Sequence, residues 1–284
     1  MFLHAFAILN ISFLWCYKDM SELLREQDVK IAFIGWLYKK GLLDDATIIN
    51  EMVVANWSRR ADLAVANGHL QAFEIKSDFD SLKRLDGQLE IFTSRFEKVT
   101  VVCAPKFTYE VKKKVTPEVG VIEYLHDSKG VRFKIVQRGR TSPIANKKIY
   151  ISFLLKKELQ SLLVESNIKY FSESGRGVLE KIAENISLSK IRLFVLNAIK
   201  KRYKETSDSY LQKLNNNNLI SIDDLSLLSK SKQKRELCFL DSRQQEVESE
   251  DSATYYKLDV ERFMKKHGEN FCSVPDKVLK RIVK

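Results

Sequence analysis

Two carboxylates and a lysine stand in neighbouring apolar runs of this chain. Asp62 lies in Arg59-Arg60-Ala61-Asp62-Leu63-Ala64-Val65, and Glu74 and Lys76 lie in Ala72-Phe73-Glu74-Ile75-Lys76-Ser77. Side chains alternate faces along a strand, so Glu74 and Lys76 point one way and Ile75 the other. Asn67-Gly68 between the runs is a strong hairpin signal. Folding there brings Asp62 alongside Glu74 and Lys76, at a sheet edge. Hard oxygen ligands of this kind suit Mg²⁺ or Mn²⁺, ions that also bind a substrate phosphate.

The flanking elements must hold that hairpin. Ser21 to Leu43 reads as a helix, with Ser21 as N-cap, an apolar stripe through Leu24, Val29, Phe33 and Leu37, and Gly41 as its stop. Residues 48–54 read as a strand containing Glu51, followed by strands at 60–66 and 69–77. Leu82, Leu85, Leu89 and Phe92 recur at helical spacing within 78–96. Lys98 to Ala104 is a continuous apolar strand, the pattern of a buried central one, and Pro105 ends it. A short basic helix at 109–114 and strands at 119–125 and 130–136 follow.

The predicted fold class is therefore α/β, a mixed sheet with helices on its faces. The predicted divisions are an apolar extension (1–19), a sheet-bearing domain (20–145) and a mostly helical basic region (146–284). Within the last, segments near 151–165, 176–186, 189–204 and 255–267 read as helices. Residues 215–218 are a polar break, and 229–250 is charged and poor in apolar residues.

The 284 residues carry a net charge of +11 and are 44% hydrophobic, enough for a core and basic enough to favour a polyanionic partner. Cys16, Cys103, Cys238 and Cys272 are scattered, which argues against a disulfide framework or a zinc site. His4, His69, His126 and His267 are equally dispersed, which argues against a histidine-ligated metal or a His-based triad. Phe2 to Tyr17 is apolar but shorter than the roughly 20 residues a membrane span needs, and it lacks a clear secretory pattern. No stable membrane partner and a cytoplasmic location are expected. Met20-Ser21-Glu22 reads as a natural start, so residues 1–19 are expected to be an upstream extension.

With these residues in view, the chain resembles the PD-(D/E)XK phosphodiesterase superfamily, the restriction endonuclease-like group. Asp62 matches the first acidic position, with Ala61 in place of the motif proline, and Glu74-Ile75-Lys76 matches the Glu-x-Lys. The order αβββαβ over 21–104 matches the shared core, and Gln88 with Phe92 is similar to the Gln-xxx-Tyr motif of RecB-like nucleases. The run is especially similar to small bacterial and phage proteins related to the MmcB and VRR-Nuc groups.

The resemblance implies a metal-dependent nuclease, acting on DNA in repair, mobile-element biology or defence. It implies Asp62 and Glu74 as ligands of Mg²⁺ or Mn²⁺, with the Ile75 carbonyl adding an oxygen. Lys76 would orient or help deprotonate the attacking water, and Gln88 would orient Lys76 or a phosphate. A further acid is expected: Glu22 and Glu26 on the first helix are candidates, and Glu51, on a neighbouring strand, is preferred. Arg59 and Arg60 would grip the nucleic-acid backbone.

Other readings stand beside this one. An Asp followed by Glu-x-Lys also describes an exposed strand face with an ion pair worth under about 1 kcal/mol. The fold could also serve a catalytically inactive nucleic-acid-binding or partner-binding protein. Arg176, Lys181, Lys190, Arg192, Lys200, Lys201 and Arg202 form either a DNA-binding tail or the soluble face of a bundle packed on the core. A homodimer is possible, although nothing in the sequence marks a dimer face.

Overall fold

The computed structural model describes residues 23–54, 59–216, 219–229, 255–257 and 277–279. Those up to 229 fall in one compact unit and those from 255 in a second. The first helix, α1 (Glu26–Lys39), starts later than its apolar stripe suggests, because Asp28 accepts from the Arg25 N–H at 3.1 Å and caps that end. Ser21 and Glu22 lie outside the described residues. At the other end Gly41, with φ +67°, takes the left-handed position, and the Gly41 and Leu42 N–H groups donate back to Tyr38 and Leu37.

Strands β1 (Thr47–Val54), β2 (Arg59–Ala66) and β3 (Leu70–Lys76) follow, then helix α2 (Leu85–Arg95) and strand β4 (Lys98–Cys103). The expected αβββαβ order is thus present. Helix α3 (Pro105–Lys114) begins at Pro105, whose fixed φ and missing N–H suit a first helical turn, and so is longer than 109–114. Strands β5 (Gly120–Asp127) and β6 (Gly130–Gln137) complete a six-stranded sheet of order β1-β2-β3-β4-β5-β6. The sheet is mixed: β3, β4 and β5 run parallel, and the outer pairings are antiparallel.

The helix expected across 78–96 begins only at Leu85. Ser77 N–H and Oγ both donate to Asp80 at 2.8 and 2.6 Å, and Asp78 accepts from the Tyr124 hydroxyl at 2.8 Å. Those side-chain bonds hold 77–84 as a turn instead of a helical one.

From Asn146 the chain is helical: α4 (Lys147–Ser152), α5 (Lys156–Glu165), α6 (Arg176–Ala183), α7 (Leu188–Asn215) and α8 (Ile222–Leu227). The expected single helix over 151–165 is two, and the one at 189–204 runs on to Asn215, where the asparagine-rich break stops it. The helix expected over 255–267 is not formed at its start, since Tyr255–Lys257 is a strand, β7, pairing with β8 (Lys277–Leu279). The remainder of 255–267 lies outside the described residues.

Two cores flank the sheet. One joins α1 to Ile48, Leu63, Val65, Phe73 and Ile75, and the other joins α2 and α4–α6 to Ala64, Ala66, Leu70, Ala72 and Val101. Helix α7, about 42 Å long at 1.5 Å per residue, contributes Ile191, Val195 and Ile199 to the second core and Tyr210 and Leu214 to the first. Between them it lies along edge strand β1, where Ser207 Oγ accepts from Ile48 N–H at 2.9 Å; at and just after α8, the Leu225 carbonyl accepts from Asn50 Nδ2 and Ser229 Oγ exchanges bonds with Asn50. A bare edge donor row is a liability for self-association, and α7 and α8 together cover part of this one. The change of character near 140–148 is therefore a change from sheet to helix inside one compact unit.

Candidate active site

The hairpin places the predicted residues. β2 and β3 pair from Ala66↔Leu70 to Leu63↔Phe73, across a short Asn67-Gly68-His69 turn in which Gly68 has φ +92°. The regular pairing stops there. Asp62 Oδ2 takes the next donor, accepting from the Ile75 backbone N–H at 2.7 Å. The N–H and C=O of one strand residue face the same neighbour, so the Ile75 carbonyl is also directed towards β2. Lys76 turns the other way, its carbonyl accepting from Ala104 N–H at 2.9 Å.

Glu74 and Lys76 share a face and are both buried. Lys76 Nζ donates to Glu74 Oε1 at 2.7 Å and to Gln88 Oε1 at 3.1 Å, while Gln88 Nε2 donates to Glu74 Oε1 at 2.5 Å. Gln88 sits on the first turn of α2, and the Leu85, Leu89 and Phe92 stripe anchors that helix on the sheet. The other carboxylate oxygen, Glu74 Oε2, is buried and has no hydrogen-bond partner among the described residues. A buried acceptor left unmatched costs about 1–3 kcal/mol, so this oxygen is a candidate donor to a cation.

Helix α1 adds two groups. Lys30, only 2% exposed, pairs with Glu26 at 2.5 Å, and the charges of both reach Asp62. Burial first, and then the Glu74 charge, push the Asp62 carboxyl up to about 8, against the pull of Lys30 and the Ile75 N–H. Burial likewise raises Glu74, outweighing Lys76 and Gln88, and Glu26 adds to the rise. Three carboxyl groups, Asp62, Glu74 and Glu26, thus share this region with two ammonium groups, Lys30 and Lys76.

Glu51 stands opposite Asp62 in the β1–β2 register, between Asn50↔Leu63 and Met52↔Ala61. Its φ is +57°, a costly conformation for a residue with a side chain. Its carboxylate meets Arg60 Nη1 at 3.4 Å. The charge of Glu26 acts on both Asp62 and Glu74. Arg59 lies against α2: a Cβ placed on Gly87 would stand 4.0 Å from its Nη2, in ordinary contact.

Most of the basic helical residues are engaged within the fold. Arg176 bonds Glu180 and the Leu154 carbonyl, Lys190 the Glu165 carbonyl, Lys200 Asp45, and Arg202 Glu158 and the Phe153 carbonyl. Arg192 reaches Glu97 at 2.5 Å and the Gly68 carbonyl at 2.7 Å. Glu97 also accepts from Leu70 N–H and the Tyr150 hydroxyl, both at 2.8 Å. One buried carboxylate therefore ties the hairpin turn to α4 and α7. Sequence reading did not single out Glu97 or Lys30. Lys30 was signalled only by its four-residue spacing from Glu26, and nothing local signals Glu97.

A sequence model of the family described as Bacteriophage P4 protein cII matches residues 19–229. The chain belongs to the phage P4 cII family. Protein cII of Enterobacteria phage P4 is 58% identical over 264 residues, covering 93% of this chain and 100% of that relative. The stretch shared with the cII family spans the six-stranded sheet, α1 to α8 and every site residue named above. A solved structure of a protein of unknown function from Silicibacter pomeroyi matches 54% of the chain and 99% of its own length, at 16% identity and a TM-score of 0.34, too low to bear on the fold or the site.

Among the described residues no three His, Cys, Asp or Glu side chains form a ready metal cluster. The donors on hand are Asp62, Glu74 and the Ile75 carbonyl. Such a partial set suits Mg²⁺, which keeps several waters and takes oxygens from substrate phosphates. The partnerless Glu74 Oε2 fits that donor role. No helix among the described residues is long and apolar enough to cross a membrane.

Proposed function

We propose that this chain is a Mg²⁺- or Mn²⁺-dependent nuclease of the PD-(D/E)XK type that hydrolyses phosphodiester bonds, chiefly in DNA, in the cytoplasm. One observation carries the reading: a buried carboxylate has one oxygen held by Lys76 and Gln88 and the other unpartnered, beside a second carboxylate of raised pKa. Buried acceptors are usually matched, so an orphan oxygen here favours a ligand site over a purely structural ion pair.

A divalent ion there would polarise the phosphoryl oxygens and lower the pKa of a bound water. The chain's own residues do the rest. Asp62 and Glu74 hold the ion, with Glu26 the nearest further acid by charge and Glu51 the rival. Gln88 fixes the Lys76 ammonium, which orients the attacking water and offsets charge that grows on the phosphate. Arg59, over Gly87, and Arg60, half-exposed, are set to contact backbone phosphates.

The second reading is an inactive nucleic-acid-binding or partner-binding protein on the same fold. The favouring observation is that Lys76 Nζ commits two of its three donors to Glu74 and Gln88. Incubation with plasmid, linear duplex, single-stranded DNA and RNA, in Mg²⁺, Mn²⁺ or EDTA, separates the two. Metal-dependent cleavage lost in Lys76→Met supports hydrolysis. Cleavage unaffected by Lys76→Met and Glu74→Gln removes the site, and binding without cleavage moves the protein to the second reading.

A further inference from the structure

The turn that carries the chain from Lys76 to α2 turns its acids inwards. Asp80 bonds Ser77, and Asp78 bonds Tyr124. What it presents to solvent is Phe79, 64% exposed, with Lys83 and Arg84 exposed behind it. Helix α3 continues from this turn, because Lys106 Nζ donates to the Asp78 carbonyl. On that helix Lys106, Tyr109 and Lys113 stand three and four residues apart and so share one face. Tyr109 is 69% exposed, and Lys113 Nζ lies 4.3 Å from the centre of its ring. The opposite face buries Val111.

Alternating aromatic rings and ammonium groups are the chemistry of a single-strand track. Bases stack on the rings, the cations follow the phosphates, and no sequence is read, since every base has a π-face. Within an intact duplex the bases are already stacked on each other and cannot reach such rings. Single exposed apolar residues are ordinary on protein surfaces. Here the turn bearing Phe79, three residues after Lys76, is tied through the Asp78 carbonyl to Lys106, which shares its helix face with Tyr109 and Lys113.

We infer that the surface formed by Phe79, Lys106, Tyr109 and Lys113 binds single-stranded nucleic acid and delivers it to the Asp62–Glu74–Lys76 site. This rests on the nuclease reading for its purpose, and it narrows the substrate from nucleic acid in general to strands with unstacked bases, such as tails, flaps or frayed ends.

The test measures fluorescence anisotropy of the full-length protein in EDTA, where cleavage is off. The probes are labelled oligothymidylate, oligouridylate and a blunt duplex at one fixed salt concentration. Either single strand should bind at least tenfold more tightly than the duplex. Phe79→Ala and Tyr109→Ala should each weaken single-strand binding by about fivefold or more, as loss of one stacking platform implies, and leave duplex binding unchanged. Phe79→Trp should restore it. Lys113→Ala should reduce the salt slope by about one unit.

Equal affinity for duplex and single strand, no effect of the two alanine variants, or no binding to any oligomer would each overturn the track; the last would give the rings to a protein partner. Phe79-dependent single-strand binding with no cleavage in Mg²⁺ or Mn²⁺ would instead sink hydrolysis and leave the track standing. Metal-dependent cleavage together with Phe79-independent binding would do the reverse.

Discussion

Asp62 accepts the Ile75 backbone N–H at 2.7 Å, one step beyond the last regular β2–β3 pair. A side chain thus stands where a strand backbone would continue the ladder, and the hairpin opens at the point where its acids gather. Asp62→Asn keeps an oxygen acceptor for Ile75 and removes the charge. It should fold normally and lose stabilisation by Mn²⁺. Asp62→Ala leaves the Ile75 donor unmatched and should lower stability by about 1–3 kcal/mol. Thermal unfolding with and without Mn²⁺ reads both. Equal stability of the two variants would deny the hydrogen bond its role.

The pH dependence of stability has a definite sign. The Asp62 carboxyl rises from 3.8 to about 8 on folding, so between those values the folded chain keeps a proton that the unfolded chain has lost. Without metal, this group makes stability fall as pH rises through that window. Metal binding needs the deprotonated form, so Mn²⁺ affinity should rise between pH 6 and 8 with release of about one proton. Calorimetric titration in two buffers of different ionisation enthalpy counts that proton. A pH-independent affinity would show that Asp62 is not a ligand.

Two acids compete for the third place. Glu26 acts on both Asp62 and Glu74, whereas Glu51 meets Arg60. Glu26→Gln should weaken Mn²⁺ binding about tenfold or more, on the scale seen for lost supporting groups at metal sites, and Glu51→Gln should change it little. The opposite result would restore Glu51 to the role its strand position suggests.

Glu97 makes the helical region part of the same folding unit. It is held by Arg192, Tyr150 and Leu70, and hydrogen bonds from Arg192, Leu70 and Tyr150 keep its carboxyl below the usual range against burial. Its stabilising effect is full above the ordinary 4.5 and is lost as pH falls through the lower folded value. Arg192→Met should cost about 3 kcal/mol at pH 7 by leaving a buried charge unpaired, and less at pH 3. A chain ending near 146 loses α4–α7 from the core and should show no cooperative unfolding by calorimetry.

The sheet was legible because apolar runs and turn residues declare themselves locally: Lys98 to Ala104 reads as a central strand and Asn67-Gly68 as a turn. Asp62, Glu74, Lys76 and Gln88 come together because strand alternation and one helical turn are enough to place them. Asp78 and Asp80 hid the true start of α2, since a helical stripe says nothing of a competing side-chain bond. Lys30 reaches Asp62 only through tertiary packing of α1, and Glu97 gathers partners from residues 70, 150 and 192, a relation no window along the chain contains. The basic helices read equally well as a tail or as a packed bundle because Arg192 and Arg202 show their partners only in three dimensions.

The most direct measurement is the anomalous scattering of Mn²⁺ in crystals of the full-length protein. A peak is expected bonded to Asp62 and to Glu74 Oε2, within reach of the Ile75 carbonyl, at oxygen distances of about 2.0–2.4 Å, the range of small hard divalent ions. A peak elsewhere, or none at a Mn²⁺ concentration that supports cleavage, would contradict this assignment.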